Sequence, residues 1–136
     1  MKRILWVGLL LGLCAVFLAS CGKQEASNPG GASNEETATA FVDLVAAGNF
    51  ASAANYFDAR MASALPPNKL QESWNGLTNA LGPFKGRGGV RTAKEQGYDV
   101  VYVTCEFERD SMEAKVVLGR AGKVSGLWFV KPEGQP

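Results

Sequence analysis

Hydrophobic residues recur at two different spacings along this chain, and the change of spacing divides it. Ser33-x-x-Glu36 has the form of a capping box, after which Ala38, Phe41, Val42 and Val45 recur at helical intervals until Gly48 offers a stop. Asn49 can cap a second helix, in which Phe50, Ala53, Ala54 and Phe57 repeat the stripe. Pro67 suits a first helical position, and Leu70, Trp74, Leu77 and Leu81 line one face of a third helix before Gly82-Pro83 ends it. From Phe84 the period falls to two, the spacing of a half-buried strand. The pattern predicts a weak, glycine-interrupted strand over 84–94, a clear one over 98–108, and two more over 112–118 and 124–130. Turns are expected at Arg109-Asp110 and at Gly119-Arg120-Ala121-Gly122. In the clear strand Val101, Val103, Cys105 and Phe107 point one way, while Tyr98, Val100, Tyr102, Thr104 and Glu106 point the other. Three helices followed by a four-stranded antiparallel meander is an α+β order, with the helices expected on one face of the sheet.

The amino terminus follows neither period. Lys2 and Arg3 precede a stretch, 4–19, that carries no charge, which is the basic and apolar pattern of an export signal. The stretch is short of the roughly 20 residues a stable span requires. It ends in Leu18-Ala19-Ser20-Cys21-Gly22, which resembles the lipobox of bacterial lipoprotein precursors. The resemblance implies that the Cys21 thiol takes a diacylglyceryl group and that the signal, 1–20, is cut between Ser20 and Cys21. Two or three acyl chains, at about 0.8 kcal/mol per buried methylene, then hold the protein on a membrane far more firmly than one. Gly22 rather than Asp after the cysteine implies an outer-membrane address in a diderm host. No aromatic or branched aliphatic residue occurs in GKQEASNPGGASN, so 21–34 is expected to be a tether of roughly 20 Å at random-coil dimensions, with the domain over 35–132.

Processing changes the charge. Loss of Lys2 and Arg3 turns 14 basic and 13 acidic residues into 12 and 13, which is not a nucleic-acid binder's balance. Of three cysteines, Cys14 leaves with the signal and Cys21 is acylated, so Cys105 alone stays in the domain and no internal disulfide is expected. There is no histidine, which removes the commonest proton-transfer side chain and a leading metal ligand.

Across the domain, the segment from Ala64-Leu65-Pro66-Pro67 through Trp74 to Leu81-Gly82-Pro83-Phe84-Lys85, then 96–107 and 122–129, resembles the family called domain of unknown function 3887. That family is similar to the nuclear-transport-factor-2-like superfamily. The resemblance implies a cone-shaped fold whose curved sheet and helices often enclose a cavity, and relatives that carry the domain ahead of an α/β-hydrolase. It supplies no catalytic residues. If a pocket forms, Phe41, Phe57, Trp74, Tyr102 and Trp128 are its candidate lining.

Acid/base chemistry in such a cone needs a carboxylate facing a tyrosine, and Asp43, Tyr56, Asp58, Tyr102 and Glu106 are the residues of the right type. Cys105 is expected to be a buried, inert thiol, since the usual base is missing. Glu106, Glu108 and Asp110 share parity but lack Ca²⁺-loop spacing, and Gly86-Arg87-Gly88-Gly89 lacks the Lys-Ser/Thr of a phosphate loop. Lys85, Arg87 and Arg91 share parity too and form a small basic stripe. The sequence therefore predicts an envelope lipoprotein with a non-catalytic binding domain, no cofactor and no metal. Its expected partners are membrane lipid through Cys21, and a small apolar ligand, a peptide or an envelope protein. A second copy docking through Tyr98, Val100 and Tyr102 is a further expectation. The alternatives are an isomerase or hydratase using a carboxylate with Tyr56 or Tyr102, and an accessory module for a separate hydrolase.

Overall fold

A computed structural model describes residues 33–134. The signal and lipobox expectations, with most of the tether, lie outside the described residues. Four helices precede four strands: α1 (Asn34–Ala46), α2 (Phe50–Ala54), α3 (Ala59–Ala64), α4 (Pro67–Leu81), β1 (Phe84–Glu95), β2 (Tyr98–Phe107), β3 (Ser111–Leu118) and β4 (Val124–Val130). The strands form one antiparallel sheet in sequence order. This is the α+β architecture that the two periods predict. None of the described helices is long and apolar enough to cross a membrane.

Ser33 caps α1 through the expected box, its hydroxyl accepting from the Glu36 amide at 3.2 Å while its own amide donates to the Glu36 carboxylate at 2.7 Å. Ser33 and Asn34, assigned by composition to the tether, thus belong to the helix, and the Asn34 amide group reaches Asp99 at the start of β2. The second predicted helix is cut short, and α3 follows where no helix was expected. Its stripe ends at Ala54, because the backbone of Tyr56 and Asp58 turns away to pair with Val124 of β4. Asp58 then caps α3, accepting from the Met61 amide at 2.7 Å. Nothing local in the sequence announces that long-range bridge.

The core joins Phe41, Val42 and Val45 of α1 and Leu70 and Trp74 of α4 to the Val101, Val103, Cys105 and Phe107 face of β2. Trp74 packs among three rings, those of Phe84, Phe107 and Phe129, with centroids 5.4–6.0 Å away. Gly82 ends α4 with φ +87, and its Cα lies so close to Glu108 that a Cβ there would meet the Glu108 Cβ at 2.8 Å.

Irregularities in two strands, β1 and β4, redirect side chains. In β1 the register slips between Arg87 and Val90, so Arg87 pairs opposite Cys105 and Arg91 opposite Tyr102. An extra residue reverses parity. Arg87 consequently points to the helices, where it bonds Asp43 at 2.6 Å, and Arg91 points to the opposite face. The predicted basic stripe does not exist. In β4 the slip falls between the pairs Leu118↔Val124 and Val117↔Gly126, leaving Ser125 as the extra residue. Leu127 and Phe129 thereby turn toward the core and Trp128 turns out.

Candidate functional site

The face of the sheet opposite the core is not a plain polar surface. At its centre Val100 and Tyr102 are buried, and an ionic chain crosses them. Arg91 makes a paired contact with Glu113, Nε to Oε1 at 3.1 Å and Nη2 to Oε2 at 2.8 Å, the planar fork geometry that a carboxylate accepts best. Glu113 is only 5% exposed, and this contact keeps its burial tolerable. The same guanidinium lies 3.7 Å above the Tyr102 ring. The Tyr102 hydroxyl donates to Glu95 at 2.6 Å, and Lys115 donates to the other oxygen of Glu95 at 3.0 Å. Lys115 also stands 5.9 Å from the Trp128 ring centroid.

The titration behaviour follows from these bonds. Glu95 is held below its ordinary value by the Tyr102 hydroxyl and then by Lys115. Tyr102 is raised by its bond to Glu95 and by desolvation, and Lys115 is raised by Glu95. Arg91 is raised chiefly by its hydrogen bond to Glu113. Glu95 and Tyr102 are a carboxylate and a tyrosine in contact, the combination acid/base catalysis calls for, but each is shifted away from neutrality. A carboxylate made more acidic is a weaker base, and a phenol made less acidic is a weaker acid.

Beside this chain the sheet holds a hollow of about 390 Å³. Val100 and Val117 are its apolar floor, Glu95 and Lys115 reach it from the ionic chain, and Tyr98 and Trp128 stand beside it, 51% and 55% exposed. Asp58 and Arg60 meet it from the start of α3. Asp58 is fixed by two bonds, from the Met61 amide and from the Ser125 hydroxyl at 2.8 Å, and both lower its pKa.

Of the five residues expected to line one pocket, Phe41, Phe57 and Trp74 are core residues instead, with Phe41 and Phe57 rings 5.5 Å apart. Tyr102 and Trp128 lie on the opposite face. The five are not one constellation, because the β4 irregularity sends Trp128 outward while the helices fill the space around Trp74. The other acid/base candidates are also separated. Asp43 is exposed and paired with Arg87, Tyr56 packs edge-on to Phe41, and Glu106 is exposed on β2. Cys105 is fully buried and its thiol is pushed up to about 11 by desolvation. Among the described residues no group of three or more acidic or cysteine side chains is placed to hold a metal ion.

Residues 38–127, from α1 into β4, match the family described as a protein of unknown function, DUF3887. The chain belongs to the DUF3887 family. An esterase of Thermotoga maritima, Esterase EstD, is 32% identical to it over 95 residues, which are 70% of this chain and 23% of that esterase. This DUF3887 chain therefore spans about a quarter of the length of the curated relative it matches. No solved structure matches it. The matched span includes the whole ionic chain of this DUF3887 domain and ends one residue before Trp128.

Glu95, Glu113 and Lys115 are site residues that no motif in the sequence marks. The signal for Glu95 is the dipeptide Gln96-Gly97, whose φ values of 51 and 82 make a two-residue hairpin turn and set Glu95 opposite Tyr98. Alternation then puts Glu95 on the Tyr98, Val100 and Tyr102 face. Glu113 and Lys115 alternate with core positions of β3 and reach the same face opposite Thr104 and Tyr102.

Proposed function

We propose that this chain is a lipid-anchored protein of the bacterial cell envelope whose domain binds a partner molecule at the outer face of the sheet and does no chemistry on it. The observation that carries the binding role is the pair of half-exposed aromatic residues, Tyr98 and Trp128, beside a hollow in which Asp58 is bonded to Ser125 and Glu95 to Lys115. Exposed aromatics next to organised polar groups are the usual make-up of a binding site. The shifts of Glu95 and Tyr102 away from neutrality argue against proton transfer there. The anchor rests on Leu18-Ala19-Ser20-Cys21 after its apolar run, and Gly22 favours the outer membrane of a diderm host. We read the fold as nuclear-transport-factor-2-like from the order of helices before a meander, although the space a cone would enclose is occupied by Phe41, Trp74 and their neighbours.

Growth with an alkyne analogue of palmitate tests the anchor: wild-type chain should carry the label and fractionate with membranes, and Cys21→Ser should carry none. A labelled Cys21→Ser chain overturns it. A second reading has the domain act as an accessory to a hydrolase, favoured by the similarity to one part of a longer esterase. In that case adding the chain to its partner hydrolase raises activity on a short-chain ester, and the chain alone hydrolyses nothing. Pairing of two copies through Tyr98, Val100 and Tyr102 is the least supported, because Val100 and Tyr102 are already covered within one chain.

A further inference from the structure

Two hollows meet at Trp128. The first is the one of about 390 Å³ on the outer face, and the second, about 430 Å³, lies between α3 and β4 and shares Arg60, Ser125 and Trp128 with it. Building on the binding role proposed above, we infer that this double hollow takes a neutral oligosaccharide, with the Trp128 indole as the platform on which a sugar ring stacks.

Charge decides against an ionic ligand. The first hollow carries two carboxylates, Asp58 and Glu95, and two cations, Arg60 and Lys115, so neither an anion nor a cation gains from its field. Both carboxylates are already bonded, Asp58 to the Met61 amide and Ser125, Glu95 to Tyr102 and Lys115. They need no counter-ion and present fixed acceptor atoms. A purely apolar ligand is disfavoured too, since filling the hollow with hydrocarbon would strip water from four charged groups. What remains is a molecule with an apolar face and a polar edge and no net charge. A sugar ring has that shape. Its C–H face bears slight positive charge and suits the negative face of an indole, and its hydroxyls suit charged donors and acceptors around the rim.

The position of Trp128 is built in. A Cβ on Gly126 would come within 2.7 Å of the far end of the Trp128 ring, so glycine at that position is what allows the indole to lie back along β4. The second hollow differs in character: Met61, Leu65 and Leu127 give it apolar walls, and Arg60, balanced by Asp58 in the adjoining hollow, is its one charged lining residue. A ring substituent with a methyl group, such as an acetamide, fits it better than a bare hydroxyl. A chain of rings spanning both hollows is therefore favoured over one ring, and an N-acetylated chain over a plain one.

The test follows the Trp128 indole N–H by NMR in the full chain, held in detergent, while chitotriose, cellotriose, N-acetylglucosamine, choline or decanoate is added. Saturable shifts with chitotriose, weaker with cellotriose and weaker again with single N-acetylglucosamine, are expected. Trp128→Ala should lose at least about tenfold in affinity, and Val90→Ala, exposed on β1 away from both hollows, should lose none. Saturation by choline or decanoate with neither trisaccharide overturns the sugar assignment and leaves the binding role standing. No shift with any of these ligands up to ~10 mM overturns both.

Discussion

Glu95 and Tyr102 share a proton-sensitive bond, and its consequences run in opposite directions at the two ends of the pH scale. Glu95 is lowered from an ordinary 4.5, so the stability it contributes is present above that value and drains away as acid protonates it. Tyr102 is raised from 10.0 and Lys115 from 10.5, so their contributions are complete below those values and are lost as pH rises through the folded-state pKa. Urea midpoints should therefore be flat between about pH 5 and 9 and fall on both sides. In Tyr102→Phe the alkaline fall should shrink, and the Glu95 carboxyl should titrate closer to its ordinary value by NMR. Cys105 gives a second expectation at this scale. Its thiol, buried and raised to about 11, should resist alkylation near pH 8 in the native protein and react once urea opens the core, with the labelled peptide read by mass spectrometry. Burial of Cys105 was legible because Val101, Val103 and Phe107 share its parity on an uninterrupted strand. The bond from Tyr102 to Glu95 was not, since it joins two strands whose register only the hairpin fixes.

At the scale of whole elements, the readable parts are those governed by neighbours in sequence. The box at Ser33, the start of α4 at Pro67 and the limits of β4 all follow from adjacent residues. What escaped depends on distant backbone: the Tyr56 to Asp58 segment leaves its helical path to pair with Val124, and that pairing creates α3. The irregularities of β1 and β4 have the same character. Each adds one residue and flips the side chains that follow it, so alternation, which set Arg87 and Arg91 on one face, fails where the structure separates them. Two glycines in or beside α4 should respond oppositely to alanine. Gly76 has open space around it, so Gly76→Ala should stabilise by about 0.5–1 kcal/mol through helix propensity. Gly82→Ala should destabilise by more than about 1 kcal/mol, because φ is positive and the new methyl meets the backbone-proximal part of Glu108. Trp74, which ties α4 to three aromatic rings, sets the upper end: Trp74→Ala should cost about 3–5 kcal/mol in denaturant unfolding.

For the molecule as a whole, the fold class came from the switch of hydrophobic period, whereas the site came from residues that only the sheet's cross-strand order brings together. The two edges of that sheet are treated differently. The β4 edge is partly occupied by the Tyr56 to Asp58 segment, which bonds Val124 from both sides. Among the described residues the β1 edge has no strand beyond it, yet it is 12 residues long, and long bare edges recruit other chains. Its interruptions at Lys85 and around Gly88 and Gly89 break the regular row of amide and carbonyl groups that a second chain would need to zip onto. On the membrane surface proposed for this protein, where anchored neighbours share two dimensions and meet often, such a ragged border keeps crowding from turning into fibre growth.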